Sequence, residues 1–373
     1  MANQVTDYKC PACTGPLHFD SATGKLKCDY CGSLCEVAEM EKLYAGAETQ
    51  AAGAYARAEE TGTADGEWTC EAGSDWGADA GRLKVYACPS CGAQLICDET
   101  TSATACPYCG NNAIVPGQLS GALRPDYVLP FKLDKAAAVA ALKKHYGGKK
   151  LLPRSFSDEN HIQEIKGVYV PFWLYDGTAD ADVRCHATRV SFYTTDKEEV
   201  TVTDHYEVRR AGSVQFERVP VDASTKMPDD HMDAIEPFDY SGLKPFSTAY
   251  LPGFLADKYD VTVQDCAQRA DSRCAATAVD LMVRDAGEGY DTCSAEHSDV
   301  RLHRGKVHYA LLPVWLLNTT WKGKNFLFAM NGQTGKLVGD LPLDKGLYWK
   351  CFARIAGIIA AAFTVATIVL QVL

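Results

Sequence analysis

The chain has 373 residues, of which 47% are hydrophobic and 23% are charged, and its formal net charge is −11. This length accommodates two or three domains, and the ordinary hydrophobic content predicts that most of the chain is globular. Sixteen cysteines would suggest a secreted disulfide-bonded protein. Residues 1–7 are polar and show no signal peptide, however, so we expect the soluble part in a reducing cytosol.

Two cysteine motifs of identical spacing lie in the first third of the chain. Both read C-x2-C-x14-C-x2-C, and each cysteine of the first motif recurs 78 residues later. Tyr30 and Gly32 recur at the same offset as Tyr108 and Gly110, so the two motifs form an internal duplication. The eight cysteines are Cys10, Cys13, Cys28, Cys31, Cys88, Cys91, Cys106 and Cys109.

This spacing predicts one metal site in each motif. Two residues between cysteines let both thiolates of a tight turn point at one ion, and two such turns close a four-cysteine site. We predict two structural Zn²⁺ sites, because four protein ligands leave no open position for a substrate. Binding on the order of 10–16 kcal/mol would fold a ribbon that has almost no core. A rubredoxin-like iron site and buried or disulfide-bonded cysteines are the alternatives.

The acidic segment between the two motifs is predicted to be a spacer. Residues 36–60 carry apolar and alanine residues at helical spacing, which predicts an exposed helix. Residues 61–81 are rich in Gly, Ala, Asp and Glu, which predicts a linker. Trp68 and Trp76 are unusual there: they either pack on a ribbon or on the body, or form a docking motif for a partner.

The charge distribution disfavours nucleic-acid binding. Residues 36–80 contain eleven acidic residues against Lys42 and Arg57, and residues 88–110 contain no Lys or Arg. Proteins bind phosphate backbones through clustered basic residues. We therefore expect neither ribbon to bind DNA or RNA.

A β-rich body is predicted after the second motif. Asp134 caps a predicted helix that ends at Tyr146 before two glycines. Residues 167–176 form a predicted strand whose pattern, Pro-x-Trp-Leu-x-Asp/Asn, returns in residues 309–318 and suggests two related strand units. A second helix is predicted over residues 263–284.

The last soluble segment, residues 315–339, is predicted to be an antiparallel meander. Its strands lie at residues 315–321 and 325–330. The pair Asn331-Gly332 is a turn signal between alternating strands.

The C-terminus is predicted to be a single-pass membrane anchor. Residues 355–373 carry no charge, and at about 1.5 Å per residue they nearly span a hydrocarbon core of roughly 30 Å. Lys345, Lys350 and Arg354 precede this stretch, and Trp349 suits the membrane interface. Positive flanks stay in the cytoplasm, so the soluble part should be cytoplasmic. A buried core helix is the alternative.

The sequence offers no catalytic motif. It lacks H-E-x-x-H, G-x-S-x-G and a glycine-rich phosphate loop. Its histidines are dispersed, and paired aspartates such as Asp257 and Asp260 are explained by turns and helix starts. We therefore expect no enzymatic activity and no small-molecule substrate.

Together these elements predict an α+β fold with two N-terminal four-cysteine zinc ribbons, a mixed body with antiparallel sheet, and a C-terminal transmembrane helix. The predicted segments are residues 1–35 (first ribbon), 36–81 (acidic helix and linker), 82–115 (second ribbon), 116–345 (α+β body with two related strand units) and 346–373 (transmembrane anchor).

The chain resembles bacterial membrane-anchored zinc-ribbon proteins that carry a transcription-factor-IIB-type zinc-ribbon label. The matching stretches are residues 86–110, 125–131, 167–176, 250–260 and 328–342. The resemblance implies a role in the envelope-stress response, beside phage-shock-type and flotillin-like (SPFH-type) proteins.

The predicted function is that of an adaptor. Closed metal sites, an acidic spacer, a folded body and an anchor suit a cytosolic protein that is held at the membrane and recruits a protein partner. The alternatives are a membrane-tethered nucleic-acid-binding zinc-ribbon protein and a rubredoxin-like redox protein. No segment is singled out as the partner-binding surface.

Overall fold

A computed structural model describes residues 10–12, 17–20, 23, 25–28, 30–40, 42–43, 64–73, 76–77, 83–98, 101, 105–112, 115–117, 123–149, 151–153, 164–195, 198–322 and 324–372. These residues form a mixed α+β structure with a large mixed sheet and few helices. The predicted α+β class is therefore confirmed.

Three of the described strands have 24 to 30 residues, and the others are short. In chain order the strands are β1 (Leu17–Asp20), β2 (Lys25–Cys28), β3 (Leu34–Cys35), β4 (Ala64–Asp65), β5 (Thr69–Cys70), β6 (Leu83–Ala87), β7 (Gln94–Asp98), β8 (Val115–Gly117), β9 (Tyr127–Val128), β10 (Lys166–Thr194), β11 (Glu199–Asp222), β12 (Lys244–Pro245), β13 (Leu255–Asp257), β14 (Thr292–Trp321), β15 (Lys324–Asn331) and β16 (Leu337–Gly339). The helices are α1 (Lys135–Tyr146), α2 (Asp229–Ala234), α3 (Val263–Ala286) and α4 (Lys345–Val372).

The chain divides into two compact units, and each is assembled from non-contiguous segments. The smaller unit comprises Met1–Glu67, Gly177–Phe216 and Asp271–Gly305, and the larger unit comprises Trp68–Asp176, Glu217–Ala270 and Lys306–Leu373. Four of the five boundaries fall within β10, β11, α3 and β14, so each of these elements contributes residues to both units.

The larger unit is built on a mixed sheet with the strand order β12-β9-β14-β10-β13-β7-β6-β8. β14 pairs with β9, and β10 with β13, in parallel. β13 pairs with β7, and β7 with β6, antiparallel. β6 and β7 flank the first cysteine pair of the second motif, so this motif is part of the main sheet.

Alternate residues of β10 pack into two different hydrophobic clusters. Val168 and Phe172 lie in one cluster, and Tyr169 and Trp173 lie in the other. All four are at most 1% exposed. Because successive side chains of a strand point to opposite faces, a strand buried on both faces has a continuous apolar sequence. The strand predicted over residues 167–176 is confirmed.

β10 continues far beyond the predicted strand. In the continuation small buried residues alternate with polar ones, and Ala179, Ala181, Val183 and Cys185 are fully buried. Alanine contributes little to a hydrophobic pattern, so the predicted strand ended at residue 176. The two-residue period of the strand nevertheless continues beyond that residue.

The predicted helices and the meander are confirmed. α1 begins after Asp134, whose Oδ1 accepts a hydrogen bond from the N–H of Ala137 at 2.8 Å. Leu142 and Tyr146 on its inner face are buried. α3 covers the second predicted helix, and the end of β14 forms the antiparallel meander with β15 and β16.

Part of the segment predicted as a linker is packed structure. β4 and β5 each pair in parallel with β14. Trp68 is 6% exposed, and its ring lies 4.9 Å from that of Tyr175. The ring of Trp76 lies 5.8 Å from that of Phe246. Both tryptophans therefore pack in the body, as one of the two sequence interpretations predicts.

For residues 36–60 the sequence predicts an exposed acidic helix. The described residues 37–40 and 42–43 are helical. Residue 41 and residues 44–60 lie outside the described residues, so the rest of this helix stays a prediction.

The C-terminal helix α4 exposes its apolar side chains. Trp349, Ile358, Ile359 and Phe363 are each more than half exposed. Residues Lys345–Val365 are long and apolar enough to cross a membrane, and this stretch is not buried. By length and composition, α4 is a candidate membrane span.

A buried asparagine organises the turn after β15. Asn331 Nδ2 donates to the carbonyl oxygens of Ile235 at 3.0 Å and Pro237 at 3.2 Å. Its Oδ1 accepts from the N–H groups of Gln333 at 2.8 Å and Thr334 at 3.1 Å. One side chain therefore satisfies four backbone groups from two segments, which the Asn-Gly turn signal does not reveal.

We expect Asn331→Ala to lower the free energy of unfolding by roughly 2–4 kcal/mol, because buried backbone groups would lose their partners. Denaturant titration in detergent, followed by tryptophan fluorescence, measures the change. Thr334→Ala is the control: its side chain is exposed, and the expected change is below about 0.5 kcal/mol. Equal losses for the two variants would contradict the role of Asn331.

Candidate metal centres

The second cysteine group consists of Cys88, Cys91, Cys106 and Cys109. Their sulfur atoms all lie within 4.8 Å of one another. The Sγ–Sγ distance is 3.6 Å both between Cys88 and Cys109 and between Cys91 and Cys106. The structure thus brings together all four residues that the sequence assigns to this site.

The spacing of these sulfur atoms fits a metal ion rather than disulfides. A disulfide has an S–S distance of about 2.05 Å. Four thiolates at about 2.3 Å from a tetrahedral ion lie roughly 3.8 Å apart. The observed distances of 3.6 Å agree with the second arrangement, so the group can hold a metal ion.

Each cysteine pair of this group lies in a tight turn. In the Cys106 turn (residues 106–111), the N–H of Gly110 donates to the carbonyl of Cys106 at 3.0 Å, and the N–H of Cys106 donates to the carbonyl of Asn111 at 2.8 Å. Gly110 has a φ of +73°, in the left-handed region that favours glycine. The turn at Cys88 is closed in the same way, by the N–H of Gly92 at 2.8 Å.

Backbone dipoles favour the thiolate of Cys88. Burial by itself raises the pKa of Cys88, but the N–H groups of Cys91 and Ser90 and the neighbouring cysteine side chains outweigh burial and lower this pKa to about 7. At Cys106 burial prevails, and the pKa lies well above its ordinary value. A metal ion binds cysteine in its thiolate form, so metal binding at this group releases protons.

The first cysteine group consists of Cys10, Cys28 and Cys31. Their sulfur atoms also lie within 4.8 Å of one another, and the Sγ atoms of Cys10 and Cys31 are 3.6 Å apart. Cys13, the fourth predicted ligand, lies outside the described residues. The three described sulfur atoms are therefore placed to hold a metal ion.

The first group is carried by a small antiparallel sheet with the order β1-β2-β3. Leu17 lies opposite Cys28, and Leu26 lies opposite Cys35. Cys28 is the last residue of β2, so the strand pairing fixes where its turn begins.

The second group, by contrast, is built into the core of the larger unit. Tyr108 is 6% exposed, and its hydroxyl donates to Asp257 Oδ2 at 2.8 Å. Asn318 Nδ2 donates to the carbonyl of Tyr108, and Lys166 Nζ donates to the carbonyl of Ala105 at 2.8 Å. The turn that supplies two of the metal ligands is therefore also a packing element of the body.

Two buried aspartates lie beside this turn. Ser224 Oγ donates to Asp257 Oδ2 at 2.9 Å, and the N–H of Ser224 donates to Asp222 Oδ1 at 3.1 Å. Asp222 Oδ2 and Asp257 Oδ1 are buried without a hydrogen-bond partner among the described residues. Burial raises the pKa of Asp222 to about 8 and the pKa of Asp257 to about 7. A turn explained Asp257 in the sequence, and no local pattern there signals its burial.

The histidines form no metal group within the described ranges. His186 Nε2 lies 2.9 Å from His205 Nδ1. His303 lies between two carboxylates, with Nε2 at 2.8 Å from Asp180 and Nδ1 at 3.3 Å from Asp65. The positions of these three histidines are explained by the hydrogen bonds and ion pairs that they make within the sheet.

Comparison with known proteins gives the family. The chain is 34% identical over 353 residues to the uncharacterized protein YdjG of Bacillus subtilis (strain 168), and the match covers 95% of each chain. This chain belongs to the YdjG family. No protein-family model and no solved structure matches it. The similarity to YdjG extends far beyond the cysteine motifs, so the YdjG relationship concerns the chain as a whole.

Loss of each cysteine group should affect this YdjG-family chain differently. We expect Cys88→Ser with Cys91→Ser to lower the Tm of the larger unit by about 10 °C or more, because the metal-closed turn is part of its core. Calorimetry of the full chain in detergent measures the Tm, and elemental analysis should show one metal ion fewer per chain.

The matched control is Cys28→Ser with Cys31→Ser. It should also remove one metal ion but shift the Tm of the larger unit by less than about 2 °C, because this group has its own sheet. Equal shifts for the two double variants would contradict the structural difference between the groups.

Because Asp222 and Asp257 are buried, we expect the free energy of unfolding to fall as the pH rises. In the unfolded chain both ionise near about pH 4, whereas in the folded chain the pKa is raised to about 7 for Asp257 and to about 8 for Asp222. The folded chain therefore holds more protons between these values. These groups contribute stability that is full below about pH 4 and is lost as the pH rises to about 8. Denaturant titrations at several pH values should show that Asp222→Asn flattens this decline.

Asp260→Asn is a control of opposite sign. Burial alone raises the pKa of Asp260, but hydrogen bonds from Thr225 and Lys226 outweigh burial and lower this pKa. The Thr225 N–H lies 2.7 Å from Oδ1, and Lys226 Nζ lies 2.9 Å from Oδ2. Asp260 therefore contributes stability that is lost as the pH falls below about 4. If Asp222→Asn leaves the pH dependence of the free energy of unfolding unchanged between about pH 4 and 8, Asp222 does not cause that dependence.

Proposed function

We propose that this chain is a membrane-anchored cytosolic adaptor that recruits a protein partner, with its two cysteine groups acting as structural zinc ribbons. The observation that carries the proposal is the exposed apolar helix α4, in a chain whose complete cysteine group offers no open coordination position. Such a chain has the parts needed to hold another protein at a membrane, and the four described ligands of its second cysteine group suit a structural metal site.

The second cysteine group supports a structural role for its metal. The four sulfur atoms lie within 4.8 Å of one another, and two of the Sγ–Sγ distances are 3.6 Å, which suits a tetrahedral four-thiolate shell. We propose zinc because it takes four thiolates in structural sites of this kind. A rubredoxin-like iron site would instead give a coloured protein on purification.

The residues around α4 support a cytosolic soluble part. Lys345, Lys350 and Arg354 lie at the start of the helix, and residues 355–373 carry no charge. Basic residues next to a span are retained in the cytoplasm. Trp349 is 62% exposed, which suits a side chain at the headgroup level.

The partner class is proposed from the resemblance described above. Flotillin-like (SPFH-type) and phage-shock-type proteins of the envelope-stress response are the first candidates. The acidic character of the chain, with a net charge of −11, supports a protein partner over nucleic acid.

The test is membrane recruitment in cells that contain the full chain. Ile359→Lys with Phe363→Lys places two charges in the apolar stretch, each costing about 2.5–3.5 kcal/mol near the centre of a span. We expect this double variant to move from the membrane fraction to the soluble fraction and the candidate partner to leave the membrane with it. Fractionation followed by quantitative mass spectrometry measures both proteins.

The control is Leu343→Lys, which places one lysine on an exposed apolar residue just before α4. It should leave both proteins in the membrane fraction. If the double variant stays membrane-bound, α4 is not the anchor; if the partner stays at the membrane without the chain, the chain is not its adaptor.

A further inference from the structure

The two copies of the duplicated motif have nearly the same backbone in their second turn. In the Cys28 turn (residues 28 and 30–33), the N–H of Gly32 donates to the carbonyl of Cys28 at 3.0 Å, and the N–H of Cys28 donates to the carbonyl of Ser33 at 2.9 Å. The matching distances in the Cys106 turn are 3.0 and 2.8 Å. The φ of Gly32 is +72°, against +73° for Gly110. The turns therefore present their middle residues in the same way.

The two turns differ in the surroundings of their tyrosine side chains. Tyr108 is 6% exposed and lies in a hydrophobic cluster with Val168 and Leu255, while its hydroxyl donates to the buried carboxylate of Asp257 at 2.8 Å. Tyr30, its counterpart in the Cys28 turn, is 78% exposed. One copy has its tyrosine seated on an apolar surface with a recessed carboxylate, and the other copy presents the same group to solvent.

The surroundings of Tyr30 add to this exposed face. Leu34, which follows the turn at the start of β3, is 50% exposed. The position that matches Leu34 in the second copy is Asn112. The first copy therefore has an apolar residue where the copy packed in the body has a polar one.

We propose that the Cys28 turn, with Tyr30 at its centre, is the surface by which this adaptor binds its protein partner. The partner presents a carboxylate recessed in an apolar surface, and the Tyr30 hydroxyl donates a hydrogen bond to it. This proposal rests on the proposed adaptor function and assigns the binding surface within it.

The contacts of Tyr108 in the second copy indicate which kind of partner would fit Tyr30. The place that would accept Tyr30 in a second copy of the chain, around Asp257, already holds Tyr108. Nucleic acid would need clustered basic residues. β2 carries Lys27 and Lys25, and Lys25 is paired with Glu36 at 2.5 Å, so these two lysines do not form such a cluster. A different protein with a buried Asp or Glu carboxylate would therefore offer Tyr30 the same kind of contacts that Tyr108 makes within this chain.

A tyrosine on a metal-closed turn is suited to binding. Tyrosine is enriched among residues that dominate interface energies, because it buries a large rigid ring and keeps a polar end. Cross-linking of the turn through Cys28, Cys31 and the ion holds the backbone before the partner arrives, so less conformational entropy is lost on association.

The first experiment is site-specific photo-cross-linking in native membranes that contain the full chain. Photoreactive p-benzoylphenylalanine replaces Tyr30, and in the control it replaces Ser90, an exposed residue in the first turn of the second group. We expect Tyr30 cross-links to one other protein, within a segment that carries an Asp or Glu, and no such product from position 90. Mass spectrometry identifies the linked residue.

A double-mutant cycle then tests the hydrogen bond. Tyr30→Phe should weaken capture of that protein about tenfold, as expected for the loss of a buried hydrogen bond. Amidation of the linked partner carboxylate by Asp→Asn or Glu→Gln exchange should weaken it equally, and the two changes together should add little. Because Tyr30 is exposed, Tyr30→Phe should keep the full metal content, which elemental analysis checks.

Several outcomes overturn the proposal. Cross-links from Tyr30 to lipid, to nucleic acid or to this chain itself would do so, as would the absence of any product. Capture that Tyr30→Phe changes less than twofold, or that responds additively to the two changes, would also do so. If partner recruitment depends on α4 but not on Tyr30, the adaptor function stands and only this surface assignment fails.

Discussion

The core of the larger unit depends on a turn whose cysteines could hold a metal ion. Cys106 and Cys109 direct two thiolates to one point, while Tyr108 between them reaches the buried carboxylate of Asp257. A turn of this kind has few apolar side chains and would be a weak packing element without an ion to close it. Ligation of an ion by these cysteines would fix the backbone, and a fixed backbone would let one tyrosine fill its place in the core. In the proposed zinc ribbon, metal binding and body folding would be coupled through this single short segment.

Around that turn, polar groups are buried in a largely apolar sheet. Asp257 accepts hydrogen bonds from Tyr108 and Ser224, and Asp222 accepts one from the backbone of Ser224. Burial of these carboxyl groups disfavours their charged forms, so their pKa values are raised to about 7 and about 8. The link between the cysteine turn and the body therefore prefers protonated acids, and it is most favourable on the acidic side of neutrality.

The two copies of the duplicated cysteine motif have different surroundings. The second copy contributes β6 and β7 to the main sheet and packs Tyr108 inside. The first copy keeps a three-stranded sheet of its own and leaves Tyr30 exposed. In the proposed adaptor, the chain would use one copy for its own stability and offer the other to a partner. This division follows from burial, since the turns themselves have nearly the same backbone.

The sequence by itself determined those features that local chemistry dictates. Cysteine spacing placed both metal groups, the Asp134 cap placed the start of α1, and nineteen uncharged residues marked the apolar part of α4. Each depends on neighbours within a few residues. Only the tertiary structure decided that Tyr108 is buried and Tyr30 exposed, because the two occupy equivalent positions in motifs of the same spacing. The burial of Asp257 and the length of β10 likewise came from partners distant in the chain, which no local pattern of residues encodes.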